Sequence, residues 1–169
     1  MSIKTTLGAA AILATAGAAS ADFAGQTIFG PITNGSMVSG DTTGATDDND
    51  GFTSGDHIFF IWNAPDDVWQ LDWPGGDMTV TLDFDDFFAD LELFVYTPAS
   101  YNDSGDYSIT SSSPEVVNIA GAAAGTYYIV IDGPSASDVG AYNLSVIPAP
   151  GAAALLAFGG LPAARRRRN

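Results

Sequence analysis

The chain contains no cysteine, and between Asp22 and Ile147 it contains no lysine or arginine. The first absence excludes disulfides, thiol nucleophiles and cysteine-held metals. The second leaves no Schiff-base lysine and no basic face for phosphates or anionic lipids. Nucleic acid is excluded as a partner, because neutralising its backbone needs Lys and Arg on the binding surface. His57 is the only histidine. One imidazole without cysteine is too few for a zinc site.

What is present instead is acid. The 20 Asp and Glu residues all fall between Asp22 and Asp138, while the five bases are confined to Lys4 and Arg165 to Arg168. Residues 22–147 are long enough for one domain with a real core, and they show no internal repeat. The formal charge of the whole chain is −15, and the middle segment taken alone approaches −20 because it holds every acid and no base. Self-repulsion of that size must be relieved by screening salt or by bound cations, so a saline habitat and Ca²⁺ or Mg²⁺ binding are the two readings of the acidity.

The two ends read as addresses. Lys4 supplies a positive start, residues 7–19 form an apolar, Ala-rich run, and Ala19-Ser20-Ala21 gives small residues at the two positions that signal peptidase inspects. Residues 1–21 are therefore expected to be a signal helix, with signal peptidase and Sec-type export machinery as partners. At the other end, Pro148-Ala149-Pro150 precedes an apolar run over residues 151–164 and then Arg165, Arg166, Arg167 and Arg168. As a helix that run spans about 21 Å, short of the roughly 30 Å hydrocarbon core, so it suits a transient membrane stop better than a lasting span. The arginines would remain on the cytoplasmic side and the acidic middle outside. Residues 148–169 resemble the PEP-CTERM sorting signal of Gram-negative bacteria, with alanine at 149 where that signal usually has glutamate. The resemblance implies an exosortase-like membrane enzyme that processes the tail. It also implies a destination at the cell surface or in an exopolysaccharide matrix.

Between the ends, apolar residues recur with period 2. Met78, Val80, Leu82 and Phe84 alternate with Thr79, Thr81, Asp83 and Asp85; Leu91, Leu93 and Val95 with Glu92, Phe94 and Tyr96. Tyr127, Ile129 and Ile131 alternate with Tyr128, Val130 and Asp132, and Tyr142, Leu144 and Val146 with Asn143 and Ser145. Residues 57–62 are apolar on both faces, as in a central strand. Shorter candidates lie at 27–32, 68–73, 107–110 and 116–119. Asn34-Gly35, Pro74-Gly75-Gly76, Asn102-Asp103-Ser104-Gly105 and Asp132-Gly133-Pro134 supply turns. The spacing predicts an all-β fold, an antiparallel β-sandwich of jelly-roll type with about eight or nine strands, flanked by the signal helix and a short C-terminal apolar helix. Phe84, Phe87, Phe88 and Leu91 also fit one turn of helix.

Four stretches of this segment resemble the bacterial pre-peptidase C-terminal (PPC) domain, a β-sandwich found beside secreted proteases. They are residues 38–46 (Val-Ser-Gly-Asp-Thr-Thr-Gly-Ala-Thr), 56–62, 89–96 (Ala-Asp-Leu-Glu-Leu-Phe-Val-Tyr), and the pair 125–132 with 140–146. The resemblance covers residues 38–147. The family usually rides on a catalytic domain; none is expected in this chain, so the resemblance implies a β-sandwich module and does not by itself carry over the family's protease-assisting role.

Clustered acids point to Ca²⁺, which takes 6–8 oxygen ligands from flexible Asp/Asn loops. Asp47-Asp48-Asn49-Asp50-Gly51 resembles the start of an EF-hand loop, but Thr46 stands at the first ligand position and His57 where the bidentate Glu belongs. The best calcium ligands are Asp48 and Asp50, then Asp90 and Glu92; the opposing reading is a solvated acidic surface. Trp69 and Trp73 share one strand face four positions apart, so they are candidates for sugar stacking, against the ordinary reading as core. Catalysis has little to work with. His57 reads as a strand-edge residue, and no Gly-x-Ser-x-Gly picks out a nucleophile.

The expected protein is thus an exported, non-enzymatic structural or adhesive module, with polysaccharide or surface proteins as further partners. The alternatives are a carbohydrate-binding module using Trp69 and Trp73, and a secreted hydrolase or protease-associated accessory domain.

Overall fold

The computed structural model describes residues 26–48, 62–97 and 106–149. The signal segment with Ala19 and Ala21, Asp50, His57 and most of its expected strand, Pro150, the apolar run and Arg165 to Arg168 lie outside the described residues.

Nine strands occur among the described residues: β1 (Ile28–Thr33), β2 (Met37–Asp41), β3 (Asp67–Trp73), β4 (Gly76–Phe84), β5 (Glu92–Tyr96), β6 (Asp106–Ser108), β7 (Glu115–Ala122), β8 (Gly125–Asp132) and β9 (Ala141–Pro148). They form a five-stranded sheet in the order β1-β3-β8-β5-β6 and a four-stranded sheet in the order β2-β9-β4-β7. The fold is a β-sandwich, as the alternation predicts. Every pairing is antiparallel except that of β1 with β3. That parallel edge has an irregular register between Phe29 and Ile32. There Gly30 takes φ +103°, and a Cβ on it would lie 2.8 Å from the Gln70 carbonyl oxygen.

The core is built from one side of each alternation. Met78, Val80 and Leu82 of β4 and Leu144 and Val146 of β9 meet Leu71, Leu93, Val95, Ile129 and Ile131 of the facing sheet. Each such burial contributes about 1.5–3 kcal/mol of transfer free energy. The strand that is buried on both faces is β5, all five residues of which are buried. Of the expected strand at 57–62, only Trp62 is described, and it is buried outside the nine strands.

The two outer faces differ. On the five-stranded sheet, Val68, Phe94, Tyr96, Tyr128 and Val130 point away from the core and form a second buried cluster with Trp62. Trp62 and Phe94 rings lie 5.8 Å apart. On the four-stranded sheet, the middle of the outward side falls into three cross-strand rows, with Asp41 of β2 and Asp77 of β4 beyond them at its two ends. The first is Ser39–Asn143–Asp83, the second Met37–Ser145–Thr81–Val116, and the third Ile147–Thr79–Asn118.

Residues 84–91 contain one hydrogen-bonded turn, closed by Phe88 N–H and Ala89 N–H donating to the Asp85 carbonyl at 3.0 and 3.2 Å. It buries Ala89 and Leu91, but Phe87 and Phe88 stand out at 84% and 74% exposure, so no apolar helical stripe forms.

Candidate functional site

Three places gather polar side chains that chemistry or binding can use. The first is an acidic cluster. The chain has only two glutamates, and both are inside: Glu92 is 4% exposed and Glu115 is 0% exposed. Glu92 opens β5 directly across from Asp132 on β8, and Asp132 accepts a hydrogen bond from Gly133 N–H at 2.6 Å. Glu115 opens β7, and its Oε1 accepts from Thr110 N–H at 2.8 Å and from the Thr110 hydroxyl. Glu92 Oε2, Glu115 Oε2 and Asp90 Oδ1 are buried without a hydrogen-bond partner. Burial raises the Glu92 carboxyl to about 8, and the negative charges of Asp90, Glu115, Asp138 and Asp132 push the same way. Asp90 is raised as well, by burial first and then by Asp138 and Glu115. Desolvation and like charge both disfavour the carboxylate form, so Glu92 is largely protonated at neutral pH.

The calcium candidates separate. Asp48 is held at a corner, its N–H donating to Asp66 Oδ2 at 2.7 Å and its carboxylate accepting from the Thr46 hydroxyl. Asp90 and Glu92 belong to the acidic cluster. Among the described residues, no three acid or histidine side chains are already gathered as a group that holds a metal ion. Glu115, Asp132 and Asp138 were not singled out from the sequence. The signal for Glu115 was there, because it alternates in phase with Val117 and Ile119, on the core side of β7.

The second place holds the tryptophans, and here the structure corrects the sugar-stacking expectation. Trp69 and Trp73 do share a face, but it is the inner one. Trp73 is 3% exposed and donates its indole N–H to the Gly76 carbonyl at 3.2 Å. Trp69 packs on the core with its ring centroid 5.2 Å from that of Phe29. Its indole N–H donates to Tyr142 Oη at 2.8 Å, and the Tyr142 hydroxyl donates to Asp67 Oδ2 at 2.7 Å. This chain ties β9 of one sheet to β3 of the other. Burial raises both Asp67 and Tyr142. The Tyr142 ring lies over β2 at Gly40, where a Cβ would come within 2.2 Å of the ring. A side chain at 40 would displace the bridge.

The third place is a groove of about 550 Å³ at one end of the four-stranded sheet. Ser39, Asn143, Asp83, Asp85 and Asp86 line it. Phe87 and Phe88 follow directly, their rings edge to face with centroids 5.0 Å apart.

No protein-family model matches the chain, and no curated protein matches it. Among solved structures, the chain is similar to the pre-peptidase C-terminal domain of collagenase from Bacillus anthracis, with a TM-score of 0.50 and 15% identity. The match covers 72% of this chain and 95% of that one. At that identity the likeness is one of fold: the described residues form a PPC-like β-sandwich.

Proposed function

We propose that the protein is an exported, non-catalytic β-sandwich module that serves a structural or adhesive role at the cell surface or in the extracellular matrix. In this reading residues 1–21 are removed on export, and an exosortase-like enzyme processes the tail beyond Pro148. The observation that carries it is where the strands fall. All nine run from Ile28 to Pro148, inside the segment that contains every acid and, up to Ile147, no base, while the two base-bearing segments with targeting patterns flank it. The PPC-like fold supports a module without its own catalytic centre.

The last strand reaches one residue further than the sequence boundary at 147. Pro148 pairs with Met78, and Ala149 N–H donates to the Asp77 carbonyl at 3.0 Å. The Pro-Ala-Pro motif therefore starts on the folded sheet. Mass spectrometry of the protein recovered from its native cells tests the proposal. The expected species begins after Ala21 and lacks Arg165 to Arg168; an intact arginine end overturns tail processing.

Calcium binding is the second reading, favoured by the buried, unpartnered oxygens of Asp90, Glu92 and Glu115. A bound cation would supply the counter-charge that no Lys or Arg provides, drawing the carboxylates together. Calorimetric titration with Ca²⁺ tests it; no heat and no melting shift ends it.

A further inference from the structure

The acids of the described residues gather at one end of the sandwich. Pairing directions bring the ends of β2, β4 and β8 together with the starts of β3, β5, β7 and β9, and the short links 74–75 and 123–124 keep the two sheets in step. Asp41, Asp67, Asp83, Glu92, Glu115 and Asp132 sit at or next to the strand ends there. The loops over 42–48, 84–91 and 133–140 add Asp47, Asp48, Asp85, Asp86, Asp90 and Asp138. The opposite end holds the turns 34–36, 74–75 and 123–124, none of which contains a charged residue. In that half the described acids are Asp72, Asp77 and Asp106, and Met37 and Ile147 are exposed. The β5–β6 connection, which returns there too, lies mostly outside the described residues.

The tail leaves from this second end. Pro148 pairs with Met78, and Ala149 N–H donates to the Asp77 carbonyl at 3.0 Å, so the chain is held to the sheet as far as residue 149. Pro150 alone then separates it from the apolar run over 151–164. Two residues reach at most about 7 Å. With the run in a bilayer, the end formed by the three uncharged turns is therefore drawn to the headgroups. We propose that this end is a membrane-facing surface, seated on the lipid headgroups while the tail is uncut, with the acidic end turned outward. The proposal rests on the reading of the tail as a membrane stop and adds which surface of the domain meets the lipid.

Charge decides between this orientation and its reverse. An anionic bilayer repels carboxylates within a Debye length, about 8 Å at physiological ionic strength. Strands β3, β4 and β9 have 7, 9 and 8 residues, which at about 3.3 Å per residue sets the acidic end roughly 25 Å from the turns. That is about three Debye lengths, so the surface is screened from most of the charge. Reversed, the same carboxylates would stand against the lipid phosphates with no Lys or Arg between Asp22 and Ile147 to offset them. The uncharged turns have little attraction for lipid of their own. The tail supplies the attachment, and the turns allow the contact.

The test exploits the absence of cysteine, which lets a single one be labelled. The full-length chain is expressed in an exporting Gram-negative host without an exosortase-like enzyme. The membrane-bound product, its tail intact by mass, is transferred to vesicles of phosphatidylethanolamine and phosphatidylglycerol. A fluorophore is placed at Ala124→Cys, at the tail end, or at Ala136→Cys, at the acidic end, both exposed positions. Asn34→Cys and Ser137→Cys repeat the pair should either variant fold poorly. A quencher on the lipid headgroup is expected to quench the label at 124 at least about threefold more strongly than the label at 136, because roughly 25 Å of strand lies between the two ends. Equal quenching of the two, or stronger quenching at 136, overturns the orientation and leaves the membrane reading of the tail in place. A chain that keeps its tail but stays out of the membrane overturns that reading and this proposal with it.

Discussion

The two outer faces of the sandwich obey the same strand alternation and end in opposite conditions. On the five-stranded sheet most of the outward side is buried: aromatic rings pack there at Trp62, Phe94, Tyr96 and Tyr128, and the same side carries Glu92 and Asp132. On the four-stranded sheet the outward side is open, with Met37, Ile147 and Val116 exposed and Asp41, Asp77 and Asp83 toward its ends. Period 2 separates two sides of a strand but does not say which of them, or whether both, will be covered. The contrast teaches that the same alternation serves strands covered on both sides and strands covered on one, and that only on the covered outer face are carboxyls such as Glu92 and Asp132 taken out of water.

The sharpest way to break the comparison is to remove an aromatic from the covered face. Phe94→Ala is expected to cost about 3–5 kcal/mol in urea unfolding, as for a large core truncation. A loss under about 1 kcal/mol would mean that the cluster is not a packed second core.

Glu92 comes next. Its carboxyl is raised in the folded state from 4.5 to about 8, so the unfolded chain releases this proton at lower pH than the folded one. The folded state binds more protons in that window. Stability from Glu92 is therefore fully present below about pH 4.5 and falls as pH rises toward 8, by up to about 1.4 kcal/mol per pH unit. Glu92→Gln is expected to flatten that limb of the melting-temperature profile and to raise the melting temperature at pH 8. An unchanged slope would show that Glu92 is not the titrating group.

The predictability of these features differs for physical reasons. The alternation of 78–84, 91–95, 127–131 and 142–146 made the central strands of both sheets legible, and the fold class with them. β2 escaped, because Met37–Asp41 pairs only with β9 and buries none of its own residues fully. The pairing of Trp69 and Trp73 on one face was legible, but their position inside the core was not, since that depends on which sheet stands opposite. The Trp69–Tyr142–Asp67 bridge joins residues 73 and 75 positions apart, a closeness no local pattern carries. The acidic cluster was legible in part: Asp90 and Glu92 adjoin in sequence, whereas Asp132, Asp138 and Glu115 arrive only through sheet pairing and loop return.

A smaller effect sharpens the account of how the faces are held together. Gly40→Ala sets a methyl against the fixed Tyr142 ring and is expected to cost about 1–3 kcal/mol by overpacking. Tyr142→Phe removes the donor to Asp67 and the acceptor for Trp69, and is expected to cost a similar amount by stranding buried polar groups. Equal stability of either variant in denaturant titration would show that the bridge is slack. Smallest of all, Thr81→Ala on the open face is expected to change stability by no more than about 0.5 kcal/mol. A larger loss would place structural weight on a surface that the packing leaves idle.

β9 occupies an inner position, hydrogen-bonded along five register pairs to β2 and seven to β4, and the chain leaves it at once through Pro148 and Ala149. Any tension on the C-terminal side of residue 149 is delivered lengthwise down this strand. Ladder bonds run crosswise to the strands, so such a pull must shear two ladders together and cannot peel one bond at a time. Yielding under such a pull therefore requires many bonds to fail together, so the way β9 is built into its sheet resists tension applied through the chain that follows it.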